Sequence, residues 1–308
     1  MSLKRRVEMG NWKELGDEIK RLGSTHDIVR RNYLKCLHDL TGRNIVVYYS
    51  GWLQKQMNPW VASINDNDKN GFMSSLKGLD HSIGLDLIIH TPGGETAATE
   101  SLVDYLRSIF GNNIRAIVPQ LAMSAGTMIA CACKEIVMGK HSSLGPIDPH
   151  INGIPCQGVI EEFQKAYDEI KKDPAKIPVW QPIIAKYPPA FIGECQKAIS
   201  WSEYLVKKWL GTGMLAHLNE PDRSNTASKI VDVIGSHDLT LSHSRHLPPE
   251  RCREIGLKII ALEDNKDIQD AVLTVHHALI HTLSSTVACK IIENHLGSAF
   301  IQVQTIKM

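Results

Sequence analysis

Two short glycine-bearing turns are the stretches of this sequence best suited to chemistry: Thr91-Pro92-Gly93-Gly94 and Ala122-Met123-Ser124-Ala125-Gly126. Glycine at 93 and 94 permits positive φ, so backbone N–H groups can face an open space. Ser124 stands where a helix is expected to begin, which puts its hydroxyl and the following N–H at the positive end of a helix dipole. Backbone donors converging near a serine hydroxyl are what acyl transfer needs, a nucleophile beside a preorganised oxyanion hole. Each turn alone has a plainer reading, since serine is a common N-cap and glycine punctuates turns between strands and helices. The pair, each turn following a strand, favours the chemical reading.

The elements around these turns have to place them side by side. Short β-branched runs over 85–90, 114–118 and 135–138 read as strands, and 96–110 as a helix with its apolar stripe at Leu102, Val103, Leu106 and Ile109. A small-residue helix is expected over 124–133. Strands separated by helices of this length imply right-handed βαβ units and a mainly parallel sheet, an α/β fold with flanking helices. Function in such sheets gathers at the carboxyl ends of the strands, where both turns and Gly139-Lys140-His141-Ser142-Ser143 fall.

Upstream, 11–40 carries apolar residues at helical spacing (Trp12, Leu15, Ile19, Leu22, Ile28, Leu34, Leu37) and reads as an amphipathic helical extension. Residues 44–49 are a strand, 70–79 a helix, and the polar stretch 65–70 between them a solvated loop that lacks the offsets of a calcium loop. Downstream, helices are expected over 158–172, 194–210, 220–230 and 248–256, with a proline-rich extended stretch at 174–189 and a strand at 257–260. Residues 266–297 read as one long helix stopped by Gly297, followed by a strand at 299–303. The implied organisation is a helical extension over 1–40, a main domain over 41–265, and a C-terminal helix and tail over 266–308.

The stretch IIHTPGGETAATESLVDYLRS, followed by IRAIVPQLAMSAGTMIACACKEIVMGKHSSLGPIDP, resembles the core of the Clp-protease/crotonase superfamily. It most resembles the serine dehydrogenase proteinase family, relatives of the A-type signal peptide peptidases and of membrane-associated archaeal serine peptidases. The resemblance covers about residues 45–150 and continues more weakly to about 297. It implies a serine endopeptidase with Ser124 as nucleophile, the N–H groups of Gly94 and Ala125 as oxyanion donors, and Gly93 in the same turn. Clp-type peptidases place a His before a Pro where this chain has Ile147-Asp148-Pro149, so the base must come from elsewhere and Asp148 stands beside the missing position. Signal-peptide-peptidase relatives use a lysine further along, which points to Lys165. His243, ahead of a segment similar to the stretch after the Clp-type Asp, is the other candidate, in an Asp148–His243–Ser124 relay. His141 follows both.

The same fold admits a crotonase-like acyl-CoA enzyme or a catalytically silent assembly scaffold, and Ser124 counts against the first. An α/β-hydrolase elbow would need Gly where Ala122 stands. His277 and His281 lie one turn apart, but Ala278 follows His277 where a zincin has Glu, so no metal and no cofactor are expected. A net charge of +1 offers nothing to nucleic acid. No apolar run is long enough to span a membrane, and the basic N-terminus is not followed by the apolar core of a signal peptide. The seven scattered cysteines read as reduced core residues of a cytoplasmic protein. A protein or peptide substrate is implied, and self-association is expected from apolar helix faces at both ends and from the oligomeric relatives.

Overall fold

The computed structural model describes residues 26–236 and 242–304, together with Leu15, Asp17 and Ile19. Its strands are β1 (Asn44–Ser50), β2 (Leu85–His90), β3 (Ile114–Val118), β4 (Leu121–Ala122), β5 (Glu135–Met138), β6 (Ser143–Leu144), β7 (His150–Ile151), β8 (Ile154–Pro155), β9 (Ile259–Ala261), β10 (Ala288–Asn294) and β11 (Ala299–Val303). The helices are α1 (His26–Thr41), α2 (Pro59–Ala62), α3 (Asp68–Leu76), α4 (Thr96–Phe110), α5 (Ala125–Cys131), α6 (Cys156–Lys172), α7 (Ile177–Ile184), α8 (Phe191–Thr212), α9 (Asp222–Gly235), α10 (Pro249–Ile255) and α11 (Lys266–Ser285).

Seven strands form the main sheet in the order β11-β10-β1-β2-β3-β5-β9. From β1 to β9 every neighbouring pair is parallel, while β10 and β11 close the far edge antiparallel. This is the mixed α/β architecture expected from the alternation of elements. β1 and β2 are buried at every residue, as strands covered by helices on both faces must be. Alternate side chains feed separate cores: Val46, Tyr48, Leu87 and Ile89 pack against α3, α4, α8 and α9, whereas Ile45, Val47, Tyr49 and Ile88 pack against α1 and α11.

Three segments differ from expectation. The helix expected to run to 297 stops at Ser285, and 288–294 is β10, inserted beside β1. Its charged residues mimicked the polar face of a helix, but Lys290, Glu293 and Asn294 are all buried and paired, Lys290 with Asp68 and Glu293 with Arg30 and Arg31. The polar stretch 65–70 is not a solvated loop: Asn65 and Asp68 are buried, and Asp68 opens α3. The proline-rich stretch 174–189 contains a turn of 3-10 helix and then α7, since Pro at the start of a helix removes only an N–H that has no partner anyway. Of the amphipathic helical extension expected over 11–40, the part from His26 is α1, and most of 11–25 lies outside the described residues.

A second, smaller ladder stands on the carboxyl ends of β2, β3 and β5. Beyond β2 the chain continues as Thr91, whose N–H donates to the Leu121 carbonyl at 3.1 Å and whose carbonyl accepts from Met123 N–H at 3.0 Å. On the other side of that turn Ile64 donates to the Gly93 carbonyl at 2.7 Å and accepts from Glu95 N–H at 2.9 Å. β4 pairs in turn with β6, and Leu144 of β6 exchanges backbone bonds of 3.1 and 2.9 Å with Leu247. Short runs far apart in sequence, at 64, 91–94, 121–122, 143–144 and 247, are thereby placed side by side.

Candidate active site

Ser124 lies one residue beyond β4, after Met123, and directly precedes α5. Its φ of 51° and ψ of −116° lie in a region that residues with a Cβ seldom occupy, and its hydroxyl makes no capping bond to the helix it precedes. The plain role of an N-cap is therefore not what this serine performs. The turn is braced by Thr127, whose hydroxyl donates to the Ala122 carbonyl at 2.8 Å and accepts from Gly145 N–H at 2.9 Å, tying it to the residue after β6.

The Pro-Gly-Gly turn lies directly against it. A Cβ on Gly93 would sit 2.6 Å from Ser124 Cβ and 3.0 Å from the Ala125 nitrogen, so only glycine allows this approach. Gly93 N–H is engaged by Thr91 Oγ1 at 3.2 Å, which orients the turn. Gly94 is pressed against Ile64 so closely that a Cβ there would come within 2.3 Å of its backbone. The two glycine-bearing turns thus share one wall of a cleft of about 430 Å³, which Gly93, Gly94, Ser124 and Ala125 line together with Trp60, Met128, Ile147, His150 and His243.

Asp148 lies behind the two histidines of that cleft. Its buried carboxylate accepts from His243 Nδ1 at 2.7 Å on one oxygen and from His150 Nε2 at 3.1 Å on the other. Burial alone would raise its pKa, but the hydrogen bonds from His150 and His243 outweigh it and hold the carboxyl well below the usual range. An ionised carboxylate only accepts, so each histidine must carry its proton on the nitrogen facing Asp148. For a neutral His243 that leaves the lone pair on Nε2.

The structure brings together Ser124, Gly93, Gly94, Ala125, Asp148 and His243. Lys165 does not join them: it is exposed on α6 and is not among the residues lining the cleft. His141 is exposed beyond β5, its ring against Gly139, and it too is absent from the cleft. His276 and His281 are buried in α11. Sequence reasoning missed His150. The signal lay two residues from Asp148, where an extended chain places i and i+2 on one side, and its ring stands 4.1 Å from that of His243.

Residues 59–186 match the family of ClpP-like SDH-type serine proteinases. Two uncharacterized proteins of Methanocaldococcus jannaschii are similar: one is 31% identical over 115 residues, covering 37% of this chain and 39% of that protein. The other is 32% identical over 107 residues, covering 35% and 37%. The chain thus spans about two-fifths of the length of these relatives. No solved structure matches it. His243 falls outside the matched stretch, although the fold returns it to Asp148. The matched stretch, residues 59–186, holds both glycine-bearing turns, Ser124 and Asp148, and is similar there to the ClpP-like SDH-type serine proteinases.

Proposed function

We propose that this chain is a serine peptidase working through an acyl-enzyme on Ser124, with His243 as general base and Asp148 orienting it. The observation that carries the reading is the 2.7 Å bond from His243 Nδ1 to Asp148, made across 95 residues in the cleft that Ser124 also lines. Nε2 of His243 takes the Ser124 proton as Oγ attacks the scissile carbonyl, and the N–H groups of Gly94 and Ala125 donate to the oxyanion. Collapse expels the amine, which receives that proton, and water then releases the acyl group by the same steps. Gly93 contributes by letting the turn approach, since its own N–H is engaged by Thr91.

The test is hydrolysis of a denatured protein and of a peptide ester. Ser124→Ala is expected to abolish turnover, and His243→Ala to lower kcat by at least about 10²-fold, the low end for loss of a general base. Lys165→Ala is expected to leave it unchanged. A Lys165→Ala chain that loses turnover while His243→Ala keeps it would replace this assignment with the lysine. Protein or peptide substrate, self-association and a cytoplasmic location are parts of the same reading. Among the described residues no helix is long and apolar enough to cross a membrane.

A further inference from the structure

We propose that Asp148, His150 and His243 form a binding site for a divalent transition-metal ion, zinc foremost, and that its occupancy switches off the base. The switch rests on the peptidase reading, whereas the site itself does not.

The three side chains offer one carboxylate oxygen and two imidazole nitrogens, all within 4.8 Å of one another. Two histidines and a carboxylate are a common zinc ligand set, and three protein ligands leave a fourth position for water. Tetrahedral bonds of roughly 2.0–2.1 Å separate neighbouring ligand atoms by about 3.3 Å. The nitrogen–oxygen distances here are 2.7 and 3.1 Å, to the two different oxygens of Asp148, and all three ligand atoms lie within 4.8 Å of one another, so side-chain adjustments of about an ångström would bring them to that spacing. The ligands are also preassembled. His150 begins the β7–β8 hairpin directly after Pro149, and His243 is held near β6 by the Leu144–Leu247 pair. A second histidine is more than a charge relay requires, since one imidazole on Asp148 already fixes the tautomer.

The chemistry of occupancy follows from which nitrogen faces the ion. His243 now carries its proton on Nδ1, directed at Asp148. A metal on Nδ1 needs that lone pair, so in the neutral ring the proton moves to Nε2. His150 makes the opposite exchange, from Nε2 to Nδ1. No proton is gained or lost overall, but the nitrogen that must accept the Ser124 proton already holds one. Zinc would therefore stop acylation without touching Ser124.

The experiment uses the full chain carrying Ser124→Ala, freed of metal, titrated with cobalt(II) and then with zinc. The expected result is one equivalent of cobalt giving the visible bands of a four-coordinate nitrogen–oxygen site, displaced by zinc. Thiolate charge-transfer bands are not expected, because every cysteine but Cys36 is buried. His150→Asn and His150→Gln, each checked for an unchanged circular-dichroism spectrum, should weaken cobalt binding by at least about 10-fold. Zinc should slow fluorophosphonate labelling of Ser124 in the parent in proportion to occupancy, with a chelator restoring it. Absence of saturable cobalt binding, or binding indifferent to both His150 variants, overturns the site. Cobalt binding with labelling indifferent to zinc overturns the switch and leaves the site. A parent that never labels counts against the peptidase reading and with it the switch, while the cobalt titration still decides the site.

Discussion

At Ser124 a residue with a Cβ holds φ 51° while its hydroxyl makes no capping bond, so the conformation is maintained at a cost of order 1–3 kcal/mol without local return. Ser124→Gly should therefore raise stability by about 1 kcal/mol while removing hydrolysis, measured by urea denaturation and turnover of the same sample. A destabilised glycine variant would mean that the serine hydroxyl supports the fold. The opposite substitution belongs at Gly93, whose φ of 105° and 2.6 Å approach to Ser124 leave no room for a methyl group. Gly93→Ala should displace Ser124 and lower both stability and labelling; an active, stable alanine variant would separate the two turns. Asp148→Asn should keep the geometry but favour the wrong tautomer of His243, lowering kcat by as much as about 10⁴-fold.

The elements that carry these residues were legible where chemistry and periodicity are local. The bounds of β2, α4, β3 and β5 coincide with those read from the sequence, because apolar runs between glycine turns leave little freedom. β10 was not legible, since its buried charges are partnered by residues distant in sequence. Among the candidate residues the two turns stood out by themselves, and Asp148 and His243 entered through a resemblance. The pairing of Leu144 with Leu247, which brings His243 to Asp148, is a long-range contact that no local pattern shows. Lys165 looked suitable by its distance along the chain, yet α6 directs it to solvent.

One buried network connects β10 to the site. Lys290 Nζ donates to Asp68 at 2.7 Å and to the Ser63 carbonyl at 2.8 Å, and Tyr48 donates to the same carboxylate at 2.8 Å. Ser63 adjoins Ile64, which pairs with Gly94. Lys290→Met alone leaves Asp68 charged and buried and should cost about 3–5 kcal/mol, while adding Asp68→Leu should recover much of that loss. Equal stabilities for the single and double variants would show that the pair is not coupled.

For the whole molecule, acid is the condition that should expose the core. Burial holds His90 down at about 3, and burial with neighbouring His90 holds His276 well below its ordinary value. Both are neutral when folded and take up a proton when the chain unfolds below about pH 6.5, so unfolding binds protons and stability falls as pH falls. The slope for each histidine approaches about 1.4 kcal/mol per pH unit between its unfolded value and its folded one. His90 is packed between Trp52 and Tyr49, with ring centroids 4.4 and 5.3 Å away. His90→Phe should keep that packing and flatten the loss of stability between pH 6.5 and 4.5, read from urea midpoints across the range. An unchanged slope would mean that His90 is protonated in the folded chain.

Whether Ser124 is a nucleophile activated by His243 and Asp148 is decided by fluorophosphonate labelling followed by peptide mapping. The expected result is a single covalent adduct, on Ser124, formed at least about 10²-fold more slowly in His243→Ala. An adduct on another residue, or labelling of Ser124 at the same rate in both chains, would contradict it.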